Sequence, residues 1–173
     1  MSGATATKER PWAVEEFFAW HERQEEKYEL VDGFPVRMMT GASREHDRVT
    51  INVLESMLQQ LRNGPCEPHT SDFAVQPFPG QIRYPDLSVE CGPDETSRYE
   101  ATRVRLVMEV LSPTTRTFDF MRKVAEYQRI EGLDYILLVD PDRLDVRLYA
   151  RSERRNWTYR EYVAMEEIGR AHV

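Results

Sequence analysis

Cysteine is scarce in this sequence: only Cys66 and Cys91 occur, with no CxxC pair and no paired histidines nearby. A zinc site or a disulfide framework is therefore not expected, and both thiols are read as reduced packing residues. Long apolar runs are also missing. None approaches the roughly 18 residues of a membrane-spanning helix, and residues 1–10 hold no hydrophobic segment that could direct secretion. These absences imply a cytoplasmic chain with no membrane partner. Positive charge is short as well, since 23 Lys and Arg face 30 Asp and Glu for a formal net charge of -7. Such a balance argues against gripping nucleic acid by bulk electrostatics. Internal repeats and low-complexity segments are absent too.

What is present suits one compact α/β domain with one core, because 173 residues at 40% hydrophobic content are too few for two comfortable domains. Residues 1–10 read as a disordered tail and 11–162 as the domain. The heptapeptide Glu167 to Val173 is what a common sequencing-adapter oligonucleotide would encode in one frame, so 163–173 reads as a truncated or artefactual tail. Charge is uneven along the chain: Glu15 to Asp32 carries seven acidic against two basic residues, whereas Arg98 to Arg129 carries seven basic against four acidic.

Helical spacing of Val14, Phe17, Phe18 and His21 predicts a helix from Pro11 to about Gln24. Tyr28 to Met38 reads as a hairpin turning at Asp32-Gly33, with Glu29 on one face of its first strand. Ser43 can cap a core-packing helix with the stripe Val49, Val53, Leu54, Met57, Leu58 and Leu61, ended at Asn63-Gly64-Pro65; His46 sits in its first turn, off the stripe. Strands are predicted at Phe73–Gln76, Ile82–Val89 and Val104–Val110, the last two central in a sheet, with Pro85 at an edge or bulge. Cys91 to Arg103 reads as a mobile loop. A helix from about Thr117 to Ile130, closed by Gly132, precedes strands at Tyr135–Asp140, Asp145–Tyr149 and an edge strand at Trp157–Tyr159.

The stretch with chemical potential runs from Tyr84 to Tyr127. Asp86 and Glu109 stand 23 residues apart, room enough for a loop and a neighbouring strand, so the two carboxylates can meet across a sheet. Two such groups repel, and a divalent cation removes the conflict. Asp and Glu oxygens, with the Val110 carbonyl as a further donor, suit Mg²⁺ or Mn²⁺ rather than zinc. Asp119, Lys123 and Tyr127 recur at four-residue spacing on one helix face. Each feature has an ordinary alternative: sheet-end carboxylates held in ion pairs, a solvated strand Glu29, an exposed or capping His46, and an Asp119–Lys123 surface pair contributing roughly 0.2–0.5 kcal/mol.

Pro85-Asp86 followed by Glu109-Val110-Leu111 resembles the PD-(D/E)XK motif of restriction-endonuclease-like nucleases. The resemblance implies that the aspartate and glutamate hold metal while a lysine contacts the reacting phosphate or water. The motif's lysine position is Leu111 here, on the same strand face as Glu109. Members of that superfamily can carry the lysine on the following helix, where Lys123 stands. Tyr28 to Gly33, His46, Pro85 to Ser88, Glu109 to Pro113, Asp119, Lys123, Tyr127 and Tyr135 to Pro141 resemble, in order, the Uma-type restriction-endonuclease family, formerly a domain of unknown function. The likeness covers roughly Pro11 to Tyr162. It implies an α/β fold with a restriction-endonuclease-like mixed β-sheet flanked by helices, a homodimer, and metal-dependent cleavage of DNA. Asp86 and Glu109 would bind Mg²⁺ or Mn²⁺, Lys123 would act on the reacting groups, and Glu29, His46, Asp119 and Tyr127 would rank second. A catalytically inactive nucleic-acid-binding or oligomeric scaffold is the alternative that the acidic balance favours. A glycosidase built on the Asp86–Glu109 pair lacks an aromatic-rich sugar cleft and gives Lys123 no place.

Overall fold

The turn at Asp32-Gly33 organises the N-terminal half. In the computed structural model, which describes residues 10–39, 41–93, 97–111, 118–143, 145–153 and 155–163, both residues take positive φ, 52° and 81°. That geometry joins strand β1 (Tyr28–Val31) to β2 (Phe34–Arg37) as the expected hairpin. Only glycine fits at 33, because a Cβ there would meet the Cβ of Pro11 at 2.4 Å. Helix α1 (Val14–His21) is tied to this turn by the Trp12 N–H, which donates to the Gly33 carbonyl at 2.7 Å.

Helix α2 (Arg44–Gln60) starts where Ser43 predicts, its hydroxyl accepting the His46 N–H at 3.1 Å. Then come β3 (Cys66–Thr70), β4 (Ala74–Phe78), β5 (Gln81–Arg83), β6 (Leu87–Cys91), the short β7 (Glu100–Ala101) and β8 (Val104–Val110). Helix α3 (Phe118–Tyr127), β9 (Tyr135–Asp140), β10 (Asp145–Arg151) and β11 (Trp157–Val163) complete the order. Two mixed sheets result, one ordered β2-β1-β5-β4-β7 and the other β11-β10-β9-β8-β6-β3. β8 and β9 run parallel, and α3 supplies the crossover that parallel neighbours require.

Several expectations change. Ile82–Val89 is not one strand: it breaks at Tyr84–Asp86 and its two pieces join different sheets, because Pro85 has no N–H for a ladder. The single core is instead three apolar clusters, since two sheets present separate faces. One packs Phe120, Val124 and Tyr127 against Val107, Leu111 and Ile136, another groups Phe17, Leu30, Ile82 and Tyr84, and the third holds Leu87, Met108 and Val110. Helix α2 is less buried than its stripe suggested. Val49, Val53, Leu54 and Met57 pack on the third cluster, but no α2 residue is fully buried and Leu58 is 50% exposed. Finally, Cys66 and Cys91 are not free thiols. They are direct partners in the antiparallel β3–β6 register, which brings their Cα atoms to 4.0 Å, and they form a disulfide. β3 itself was not foreseen. Within Cys91 to Arg103, residues 94–96 lie outside the described residues, and the remainder is not all loop, since β7 pairs with β4. The two assigned tails, apart from Arg10 and Val163, also lie outside the described residues.

His21 at the end of α1 yields a pH prediction. Its Nε2 accepts the Tyr28 N–H at 3.2 Å and its ring stacks on Phe17 at 5.3 Å. Burial, aided by Lys27, holds its pKa below the usual 6.5. A depressed pKa means the unfolded chain takes up the proton first, so this contribution is full above 6.5 and is lost as pH falls below it. Melting of the wild type should therefore drop more steeply between pH 7.5 and 5.5 than that of His21→Gln. Parallel curves for the two proteins would show that His21 carries no such linkage.

Candidate active site

Strand alternation on β8 divides its side chains: Met108 and Val110 join the cluster under α2, while Val107 and the following Leu111 join the cluster under α3. Glu109 consequently faces α3. There its Oε1 accepts from Lys123 Nζ at 3.1 Å and from the Tyr127 hydroxyl at 2.6 Å. Lys123 and Tyr127 are one helical turn apart on α3, as their spacing predicts. Asp86 reaches the same strand from the other side of the Pro85 break. The β6–β8 register pairs Leu87 with Met108, and Asp86 Oδ2 accepts the Val110 N–H at 2.7 Å. His46 Nε2 lies 3.2 Å from that same Asp86 oxygen. Val110 meets Asp86 through its N–H, not through the carbonyl expected to bind metal.

Glu29 arrives from the other sheet, its Oε1 3.7 Å from Lys123 Nζ. The structure brings together Asp86, Glu109, Lys123, Glu29, His46, Tyr127 and Val110 from four elements and the Pro85 break. The side chain of Asp119 lies outside the described residues, and Lys123 pairs with Glu109 and Glu29. Sequence reasoning missed Arg83 and Glu126. Arg83 is 2% exposed; its Nη1 donates to Glu29 at 2.5 Å, and its Nε and Nη2 grip Glu126 at 2.7 and 2.9 Å. A lone charge between Ile82 and Tyr84, two residues before Pro85, was the available signal.

The site gathers four carboxylates, Glu29, Asp86, Glu109 and Glu126, around the cations Arg83 and Lys123, with Arg122 also held on Glu126. Burial raises the Glu109 pKa; Asp86 and Glu29 add to that rise, while Lys123 and the Tyr127 hydrogen bond oppose it. For Lys123, burial would favour the neutral amine, but Glu109 and Glu29 outweigh it and keep the ammonium charged. Tyr127 stays a phenol, because burial and the same two carboxylates hold its pKa well above the ordinary value. The hydrogen bond to Asp86 raises His46 against the effect of burial.

This donor set fits a hard divalent ion. Its acceptors are carboxylate oxygens, and Glu29 Oε1 is buried without a hydrogen-bond partner. Among the described residues no three His, Cys, Asp or Glu side chains form a ready-made metal cage. Mg²⁺ commonly takes one or two carboxylates and completes its shell with water and substrate phosphate. Asp86 and His46 also line a cleft of about 430 Å³, walled by Met38, Met39, Thr50 and Tyr84.

A family profile described as "Uma2: Putative restriction endonuclease" matches residues 14–170. The chain belongs to this family. An uncharacterized Synechocystis protein, slr1290, is 33% identical over 156 residues, covering 89% of this chain and 82% of its own. A second from the same organism, sll1609, is 28% identical over 150 residues, covering 84% of each. Among solved structures, a protein described as a "putative nuclease belonging to DUF820" from Anabaena variabilis superposes with a TM-score of 0.72 at 15% identity, covering 89% of this chain and 86% of that one. That likeness shows the fold, a mixed α/β architecture of the restriction-endonuclease-like kind. Together with the family it supports a nuclease-like function. No helix among the described residues is long and apolar enough to cross a membrane.

Proposed function

We propose that the protein is a Mg²⁺- or Mn²⁺-dependent endonuclease that hydrolyses DNA phosphodiester bonds, working in the cytoplasm as a homodimer. The observation that carries this reading is the convergence of Asp86, Glu109 and Lys123 from a strand break, a central strand and a helix, with Lys123 Nζ 3.1 Å from Glu109. Asp86 and Glu109, with the Val110 carbonyl, would hold the ion. When bound, the ion would offset phosphodiester charge and make a water more acidic. The chain's own groups then have distinct tasks. The Val110 N–H and His46 orient Asp86 through Oδ2, and Tyr127 orients Glu109 through Oε1. Lys123, held protonated, stabilises the negative charge that develops on the phosphoryl oxygens. Hydrolysis forms one P–O bond from water and breaks another to a sugar oxygen, which leaves with a proton.

A nuclease assay with each metal across single-stranded, duplex and branched DNA tests the proposal; no cleavage of any form would sink it. The net charge of -7 favours the second reading, a scaffold that keeps the fold without cleaving. Metal response separates the two. An ion bound only by the folded protein adds RT ln(1 + [L]/Kd), about 2.7 kcal/mol at a hundredfold excess over Kd. Melting of the wild type should rise with Mn²⁺, while Glu109→Gln should rise much less. Identical responses would place any ion elsewhere.

A further inference from the structure

Two carboxylates, Glu109 and Glu29, compete for one buried ammonium, that of Lys123. Lys123 Nζ is hydrogen-bonded to Glu109 Oε1 at 3.1 Å but stands back from Glu29 Oε1 at 3.7 Å. Nothing in Lys123 itself sets that preference, because its stem is flexible and both carboxylates are buried. The difference lies behind Glu29. Arg83 Nη1 occupies Glu29 Oε2, while Nε and Nη2 of the same guanidinium hold both oxygens of Glu126. Glu126 is fixed in turn by Arg122 Nε at 2.9 Å, and Arg122 Nη2 reaches Asp32 in the hairpin turn at 2.7 Å. The planar fork of Arg83 is therefore anchored to α3 on one side and to β1 on the other.

From this geometry we infer that Arg83 is a positioning residue for Lys123: by holding Glu29 through Oε2 and offsetting its charge, it leaves the Lys123 ammonium on Glu109, at the reacting centre. Without Arg83, Glu29 would be a buried carboxylate left to pair with Lys123, and it would draw the ammonium away from Glu109. The inference rests on the nuclease reading for its catalytic consequence, though not for its structural one.

The test uses the full chain in two arms. In nitrogen-edited NMR, the ammonium of a buried, ion-paired lysine exchanges slowly enough to be seen, and Lys123→Arg identifies its signal by removing it. Arg83→Gln should shift or broaden that signal in a protein that still melts cooperatively; Arg83→Lys, which keeps the charge but loses the fork, serves where Arg83→Gln does not fold. In the kinetic arm, Arg83→Gln should lower kcat by about 10- to 100-fold with KM within about twofold, as supporting contacts behind a reacting group do. The same change in a Lys123→Ala background should cost less than about twofold, because a residue acting through Lys123 has nothing left to position. Equal losses in both backgrounds would make Arg83 a general structural residue and overturn the inference. If the wild type cleaves nothing, the nuclease reading fails while the NMR arm still decides. An unchanged Lys123 signal in Arg83→Gln overturns the positioning role whatever the activity.

Discussion

Asp86→Asn should reduce metal-dependent cleavage to background and abolish the heat of Mg²⁺ or Mn²⁺ binding in calorimetry. The substitution is nearly isosteric. An asparagine carbonyl can still accept the Val110 N–H that Asp86 Oδ2 accepts at 2.7 Å, so the strand break at Pro85 should survive. What would be lost is one of the two carboxylates proposed to face the ion, and neutral amide oxygens bind hard divalent cations weakly where protein ligands are so few. His46 reports the same change. Asp86 raises its pKa through their hydrogen bond, so in the variant the imidazole should titrate at lower pH, which proton NMR can follow. A variant that is folded, shows the His46 shift and still binds metal like the wild type would remove Asp86 from the metal site.

The second large effect concerns Lys123. Lys123→Ala should leave metal binding in place and slow cleavage by about 10²–10³-fold, the usual loss when a preorganised donor to developing charge is removed. Metal binding would survive because the carboxylates proposed to hold the ion remain, and removing a neighbouring cation would not weaken their attraction for it. Adding Leu111→Lys should restore only a small part of the rate. Position 111 does follow Glu109 on the α3 side of the sheet, but Leu111 is 2% exposed and packed with Phe120 and Val124, so an ammonium there is placed among apolar groups. Single-turnover rates with saturating metal distinguish these outcomes. Cleavage by Lys123→Ala at the wild-type rate would leave Lys123 as nothing more than the ion-pair partner of Glu109.

Local chemistry made much of this legible. Asp32-Gly33 demanded a tight turn, Ser43 demanded a helix start, and the four-residue spacing of Lys123 and Tyr127 put them on one face whatever the helix packed against. Glu109 on an apolar strand followed by a lysine-bearing helix was visible for the same reason: each depends on neighbours within a few residues. Pro85 was half legible. Its missing N–H announced an interruption, yet not that the chain would leave one sheet and enter another there.

Spacing and backbone preference act locally, and they made most helices and strands and their order readable from the chain, though not β3, β7 or the split of Ile82–Val89. Which residues meet across the fold came from the packing of the sheets and α3. The Cys66–Cys91 bond follows from a β3–β6 register 25 residues apart in sequence, and no local pattern encodes that pairing. The grip of Arg83 on Glu29 and Glu126 spans 54 and 43 residues. Burying that arginine is tolerable only because the folded sheets and α3 deliver both carboxylates to it at once, and that is a property of the packing.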